Sequence, residues 1–379
     1  MTRSGVIQRY SAQEARLEPL AVARPRLPTA DAILPYLERI DTARWYSNFG
    51  PLLGEMEDRL AARFGQDTRV VTTVNATQAL TLALQAMDLP QGTLCAVPAW
   101  TFIATAHAVA QAGLVPWFVD VDADTWMLDA EATRAALARA PGAVSAVIPV
   151  AAFGRMPDLE SWKTFQDATG VRVLVDAAAA FDAANDADLP LVVSLHATKV
   201  LGMGEGGFLA TRDQALADRV RQQTTFGFDG SRDALRVATN AKLSEYSAAI
   251  GLAALDSWPA DRLRWFMTAQ TLRRALMPTP EVRFQAGWGE RWTTSVCVVD
   301  LPEGSADAVE AALHADGVAT RRWWGQGCHL SPAFITAPCD DLPNTRRLAN
   351  ATLGLPFAID LSPSDIARIA DSLTRALAR

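Results

Sequence analysis

Cysteine is scarce in this 379-residue chain, and its four occurrences, Cys95, Cys297, Cys328 and Cys339, stand far apart with no paired metal-ligand spacing. That pattern indicates neither a disulfide framework nor a zinc site, and it reads as reduced, buried or incidental thiols of a cytosolic protein. No apolar run of membrane-spanning length occurs. The longest weakly polar stretch, 103–119, is interrupted by His107, Gln111 and Pro116, so it reads as a buried helix leading into a strand. Positive charge is not in excess: 35 Lys and Arg against 42 Asp and Glu leave a formal charge of −7, which argues against a non-specific nucleic-acid or anionic-membrane surface. There is no internal repeat, low-complexity tract or charge block, and no disordered interaction tail is expected. Residues 1–20 carry Arg3, Arg9, Glu14, Arg16 and Glu18 without an apolar core, so neither a secretory signal nor an anchor is expected, and the chain should stay in the cytoplasm.

What is present is apolar residue in quantity, half of the chain, in a length that exceeds what one hydrophobic core usually fills. From about residue 69 to 210, short β-branched runs at 69–74, 93–98, 115–121, 143–150, 171–175, 191–195 and 207–210 are separated by alanine-rich amphipathic stretches such as 76–87 and 104–112. This rhythm predicts an α/β fold with a mainly parallel sheet sandwiched by helices, and ligands bind outside the strand ends of such sheets. Residues 216–255 read as helical with an interruption at 226–232, and 258–277 continues as a helix that links to a second part. There, 293–301 and 318–324 read as strands, and 306–316 and 363–378 as helices. The expectation is a large domain at 1–255 and a smaller α+β domain at 256–379.

The residues with chemical potential sit where these runs end. Lys199 follows the apolar run 189–195 and precedes a glycine-rich segment ending in Gly206-Gly207; a lysine with a lowered pKa is a nucleophile toward carbonyl compounds. Asn75-Ala76-Thr77-Gln78 lies between a strand and a helix, where free backbone N–H groups and the helix dipole suit a phosphate, although an ordinary N-cap explains the same residues. Asp176 ends the run 171–175, a place from which a carboxylate can hold a pyridine nitrogen protonated or simply cap the next helix. Phe102 can stack a flat ring or belong to the core, and Ser194 and Thr198 offer hydroxyls to a phosphate or to the loop backbone. No Gly-x-Gly-x-x-Gly motif opens a helix after the first strands, which disfavours a nucleotide-binding oxidoreductase.

Taken in order, Asn75-Ala76-Thr77, Phe102, Asp176, Ser194 and Lys199 resemble the pyridoxal-phosphate enzymes of the aspartate aminotransferase fold, fold type I, and within them the DegT/StrS sugar-nucleotide aminotransferases. Further stretches carry the resemblance over roughly 43–377: Trp45-Tyr46-Ser47-Asn48-Phe49-Gly50-Pro51-Leu52, Phe118-Val119-Asp120-Val121-Asp122, Ile148-Pro149-Val150 with Phe153-Gly154, and Asn240-Ala241-Lys242-Leu243-Ser244-Glu245. The resemblance implies a seven-stranded-type sheet and pyridoxal 5′-phosphate as cofactor. Lys199 attaches the cofactor and shuttles the proton, Asp176 pairs with the ring nitrogen, and Phe102 lies near its face. Ala76, Thr77 and Ser194 hold the phosphate, and Asn240 reaches the phosphate of a neighbouring subunit, which implies a homodimer with shared sites. Asn48, Lys242, Trp323 and His329 become candidate substrate contacts, and Arg321 and Arg322 offer forks suited to a diphosphate. No metal is implied.

Two positions depart from the family. Ala179 stands where a glutamine usually follows the aspartate by three residues, and Ala151 where a histidine often precedes the Phe/Tyr-Gly pair. The expected activity is transfer of an amino group from an amino acid, glutamate in first place, to a nucleotide-linked keto-deoxyhexose, with C4 favoured over C3, on a route to amino sugars of surface polysaccharides or glycosylated products. Lys199 argues against the deoxygenating branch, in which histidine replaces the lysine. The rival expectation, raised by Ala179 and Ala151, is a cofactor-binding protein that has lost catalysis and serves in regulation or scaffolding.

Overall fold

Short β-branched runs build the centre of the molecule, and the computed structural model, which describes residues 18–378, arranges them in one sheet. Most of the stretch read for a signal or anchor, residues 1–17, lies outside the described residues. Helices α1 (Ala30–Ala43) and α2 (Pro51–Ala61) precede strand β1 (Arg69–Thr73), followed by α3 (Ala76–Ala86), β2 (Leu94–Pro98), α4 (Ala104–Gln111), β3 (Val115–Val119), α5 (Ala130–Ala136), β4 (Val144–Val147) and α6 (Leu159–Thr169). Then come β5 (Arg172–Val173), β6 (Val175–Asp176), β7 (Leu191–Ser194), β8 (Gly207–Thr211), α7 (Gln214–Gln223) and α8 (Glu245–Leu276).

Hydrogen bonding orders the strands β1-β8-β7-β6 and β3-β2-β4-β5. The two ladders join because β5 and β6 are one strand interrupted at Leu174: the Leu174 N–H donates to Val147 O (3.1 Å) and the Asp176 N–H to Pro149 O (2.9 Å). The result is a seven-stranded sheet in which only β8 runs antiparallel to its neighbours β1 and β7. Every residue of β2, β7 and β8 is buried, as strands covered by helices on both faces require. The strand-helix alternation is therefore fold type I, the architecture that the sequence resemblance implied.

The open edge at β3 is paired with the C-terminal part: Phe118 N–H bonds to Pro338 O, and Asp340 N–H returns to Phe118 O, both 2.9 Å. That part contains β9 (Arg283–Phe284), β10 (Cys297–Asp300) and β11 (Thr352–Leu355), antiparallel in the order β11-β10-β9, with α9 (Ala306–Ala315), α10 (Pro343–Ala351) and α11 (Pro363–Leu377). Helix α8 runs unbroken through the expected 255/256 boundary and links the two halves, with Pro259 inside it.

Two expectations differ from the structure. The helical reading of 216–255 holds only at its ends, since α7 stops at Gln223 and 224–244 is irregular, fastened by a Thr225–Asn240 bridge. The stretch 318–324 is no strand: only Val318 and Arg321 form bridges, with Leu20 and Gly354. The Trp323 indole folds back over Gly354, where a Cβ would lie 2.3 Å from Nε1. Among the described residues no helix is long and apolar enough to cross a membrane, and no group of three or more His, Cys, Asp or Glu side chains could hold a metal.

Candidate active site

Lys199 sits on the loop between β7 and β8, and that loop is fixed by its own backbone. Leu195 N–H donates to Gly206 O (2.9 Å), Ala197 N–H to Gly204 O (2.7 Å) and Lys199 N–H to His196 O (2.9 Å). A Cβ at Gly202 would fall 2.7 Å from the Ala197 carbonyl oxygen, so this closure admits only glycine there. Burial pulls the Lys199 ammonium below its ordinary pKa, and the charge of Asp176 opposes that shift. A primary amine in this state has a larger neutral fraction near pH 7 than a solvated lysine, which is what a nucleophile or proton acceptor needs.

Asp176 ends β6 with only 5% of its surface exposed. Its Oδ2 accepts the Thr105 hydroxyl at 2.7 Å and its Oδ1 the Ala178 N–H at 3.1 Å. Burial raises its pKa, while Thr105, Ala178 and Lys199 each pull it back toward the ionised form. A carboxylate held in the interior by two neutral donors and one nearby amine is suited to a cationic ring nitrogen.

The third component is the start of α3. Asn75 caps the helix through its side-chain oxygen, which accepts Gln78 N–H at 2.9 Å, and this leaves the amides of Ala76 and Thr77 outside the helical ladder. Gly207 packs against that turn: a Cβ on it would lie 2.4 Å from Ala76 N and 2.7 Å from Asn75 C. Gly207 also registers with Thr73 and with Ser194 across β8. The loop that carries Lys199, the buried Ser194 and the α3 N-terminus thus meet at one point, in a cradle that a side chain at 207 would fill.

Phe102 lies just before α4 with 61% of its surface exposed, on an open cleft that it shares with Thr101, Trp323, Trp324 and the backbone of 325–328. Trp324 stacks on Phe153 at 3.9 Å between centroids with 13° between planes, and Trp100 meets both edge-on at 4.7 and 5.6 Å. This aromatic cluster packs directly after Ala151, where the family often has histidine. Trp323 lines the cleft, whereas His329 turns inward, 6.5 Å from the Phe118 ring, and burial lowers its pKa. Arg322 does not offer its fork to a ligand, because Nε binds Glu310, Nη1 binds Ala349 O and Nη2 binds Asp307. Arg321 lies over the Trp323 ring at 4.9 Å.

Asn240 and Lys242 are joined by a 2.6 Å bond from Nζ to Oδ1, and Ala241 between them accepts Val74 N–H at 2.9 Å, next to the α3 cradle. Asn48 is exposed on a left-handed turn (φ 61°) whose neighbour Tyr46 accepts Glu245 N–H at 3.0 Å. Sequence reasoning missed Thr105, because its contact with Asp176 spans 71 positions, and it gave no role to Glu245 or to the Phe153–Trp324 pair; no local pattern signals any of them.

The residues present fit pyridoxal phosphate: a desolvated amine, a buried carboxylate, and a capped helix start with glycine opposite. Comparison with known proteins agrees. Residues 29–374 match the model of the DegT/DnrJ/EryC1/StrS aminotransferase family. The chain is 27% identical over 365 residues to dTDP-4-amino-4,6-dideoxy-D-glucose transaminase of Escherichia coli, covering 92% of this chain and 96% of the relative. It is 29% identical over 336 residues to UDP-2-acetamido-2-deoxy-3-oxo-D-glucuronate aminotransferase of Pseudomonas aeruginosa, covering 86% and 90%. The solved structure of DesI in the presence of its TDP-sugar product superposes with a TM-score of 0.85 at 33% identity, covering 96% of this chain and 94% of DesI.

Proposed function

The chain belongs to the DegT/DnrJ/EryC1/StrS aminotransferase family, whose cofactor is pyridoxal phosphate, and from that premise we propose that it moves an amino group from glutamate to C4 of a keto-deoxyhexose carried on a nucleoside diphosphate. The observation that carries the reading is the coupling of a desolvated Lys199 to a buried Asp176 beside the α3 cradle. The C4 preference is supported by the relative that acts on a 4-amino-4,6-dideoxy sugar, and the 3-oxo relative marks the competing position.

When bound, pyridoxal phosphate supplies an electron-poor ring and a carbonyl carbon able to carry the amino group between the two substrates. The protein's part is positional and acid–base. Lys199 Nζ, neutral in larger proportion because it is desolvated, would hold the cofactor's carbonyl carbon and serve as the acceptor and donor of the transferred proton. Asp176, whose rise through burial is opposed by the Thr105 hydroxyl and the Ala178 N–H, would pair with the ring nitrogen and favour its protonated form. The amides of Ala76 and Thr77 and the Ser194 hydroxyl would hold the phosphate, and Phe102 would lie near the ring. The net exchange balances as glutamate plus keto sugar giving 2-oxoglutarate plus amino sugar.

A homodimer with shared sites is part of the proposal. Phe226, Leu235, Val237 and Tyr246 expose large apolar surface, Val237 at 98%, around the segment that bears Asn240, as a face made for a second subunit does. The rival reading, a binding protein without turnover, rests on Ala179 and Ala151 alone, while the lysine, the aspartate and its two donors are complete.

The test is the visible spectrum of the protein with pyridoxal phosphate, for wild type and Lys199→Ala. A band that needs Lys199, is lost on adding glutamate and returns with a nucleotide-linked 4-keto-6-deoxyhexose supports the proposal. A band indifferent to every amino donor supports the rival, and recovery only with a 3-keto sugar moves the reaction to C3.

A further inference from the structure

The loop that leaves β6 after Asp176 has almost no side chain of its own to hold it. Six of the eight residues 177–184 are alanine, and the two that are not, Phe181 and Asp182, are both buried. A run of methyl groups packs weakly and has no preferred partner, so the shape of this loop is set by what grips those two residues.

Asp182 is gripped from two separate parts of the chain. Its side chain is 1% exposed; Oδ1 accepts Nε of Arg262 from α8, and Oδ2 accepts the Thr293 N–H of the C-terminal part at 3.0 Å. Thr293 is fully buried, and its N–H has no other acceptor among the described residues. Loss of the carboxylate would therefore leave an interior donor unpaired. Phe181 meets the Trp258 ring of α8 edge-on at 5.0 Å, while Arg63 lies over the Phe181 ring at 4.3 Å and donates to Phe181 O at 2.8 Å.

The hold at 181–182 is carried back toward the site. Ala184 N–H donates to Ala180 O and Ala180 N–H to Ala177 O, both at 2.8 Å. The Thr294 hydroxyl reaches Ala179 O at 3.5 Å, and a Cβ on Gly154 would lie 2.9 Å from Thr294 Cβ and 3.0 Å from that same carbonyl. Between these fixed points stands Ala178, whose N–H is the donor on Oδ1 of Asp176.

The geometry points to Asp182 as a positioning residue for the cofactor: it ties the 177–184 loop to α8 and to the C-terminal part, and so holds the Ala178 N–H that orients the Asp176 carboxylate toward the ring nitrogen. The inference rests on the functional reading above and extends it to a residue that acts through the loop and not by contact. Both halves of the molecule then share in setting one carboxylate. Without the Ala178 donor the ionised form of Asp176 is less favoured, which slows the transfer of the amino group and leaves the binding of glutamate as it was.

The test uses Asp182→Asn and Asp182→Ala in the full chain. Asparagine keeps the shape but turns an NH2 group toward one of the two donors, and alanine removes both acceptors. In the cofactor-free protein, hydrogen exchange should quicken at the Ala178 amide as well as at Thr293 in both variants. With pyridoxal phosphate bound, the limiting rate of the glutamate half-reaction should fall about tenfold or more in Asp182→Ala and by a smaller factor in Asp182→Asn, with half-saturating glutamate within about twofold of wild type. Faster exchange confined to Thr293, or a lower urea midpoint with the wild-type rate, would reduce Asp182 to a clamp between the two halves and overturn the proposal. A loss that lies wholly in half-saturating glutamate overturns it too. Should Asp182→Ala fail to fold, Asp182→Asn alone decides among these outcomes. Failure of the functional reading is a separate event, seen as a wild-type band that no amino donor discharges, and exchange at Ala178 still decides the role of Asp182.

Discussion

The Thr105 hydroxyl donates to Oδ2 of Asp176 at 2.7 Å, joining the first turn of α4 to the end of a strand 71 positions away. Burial raises the carboxyl, and this bond is the first of the contacts that oppose that rise, ahead of the Ala178 N–H and the Lys199 charge. Thr105→Val removes the donor, and the carboxyl rises further. Less of it is ionised at any given pH, so the acid limb of the glutamate half-reaction moves to higher pH. A hydrogen bond to a charged group is worth about 1.5–3 kcal/mol, and the rate near neutrality should fall by about tenfold or more. Single-turnover absorbance across a pH series measures both; a profile superimposable on wild type would refute the role.

Gly207 faces the first amide of α3 so closely that a methyl group would stand 2.4 Å from Ala76 N. Both partners are backbone and neither can rotate away. Gly207→Ala should therefore displace the cradle and weaken pyridoxal phosphate binding by about tenfold, ~1.4 kcal/mol, in a spectroscopic titration. The protein should remain folded by far-UV circular dichroism, which separates loss of the cradle from loss of the sheet.

Trp324 reaches from the C-terminal part to stack on Phe153, whose backbone is itself in the left-handed region at φ 51°. Trp324→Ala forfeits the stacking geometry, about 0.5–1.5 kcal/mol beyond the apolar area lost. Urea unfolding should show the lower midpoint, and the near-UV dichroism should weaken because Trp100 and Phe153 lose a ring partner. An unchanged midpoint would mean that the pair contributes nothing to joining the two halves.

Cys95, Cys297 and Cys328 are buried, whereas Cys339 is exposed. Burial pushes the Cys328 thiol up to about 12, and its Sγ donates to Thr101 O at 3.0 Å. Since the thiolate is the reactive form, native protein should react with a disulfide reagent at Cys339 alone, and all the thiols should react after denaturation. Rapid native labelling of Cys328 would show that the cleft beside Phe102 opens.

Much of this was legible in the sequence for a definable reason. Strand runs such as Leu191–Ser194 carry their burial in their composition, because a strand covered on both faces must be apolar at every position. Lys199, Asp176 and the Asn75-Ala76-Thr77 turn could be read because each occupies a strand end, the place where this architecture puts its ligands. The irregular 224–244 was not legible, since its only ladder contact is the Thr225–Asn240 bridge and its composition resembles a helix broken by a turn. Arg322 was read as a diphosphate fork because an arginine shows its charge in sequence but not its partners, and Glu310 and Asp307 had already taken it.

The sequence by itself determined the order of elements, the family and the identities of the chemical groups, since periodicity and residue type are local properties. Tertiary structure alone decided which groups share an environment. The desolvation that lowers Lys199, the hydroxyl that opposes the rise of Asp176 and the carboxylate of Glu245 that grips the 46–50 turn all come from residues far apart in the chain. Burial and hydrogen bonding are set by what packs around a group, and no local stretch of sequence specifies that.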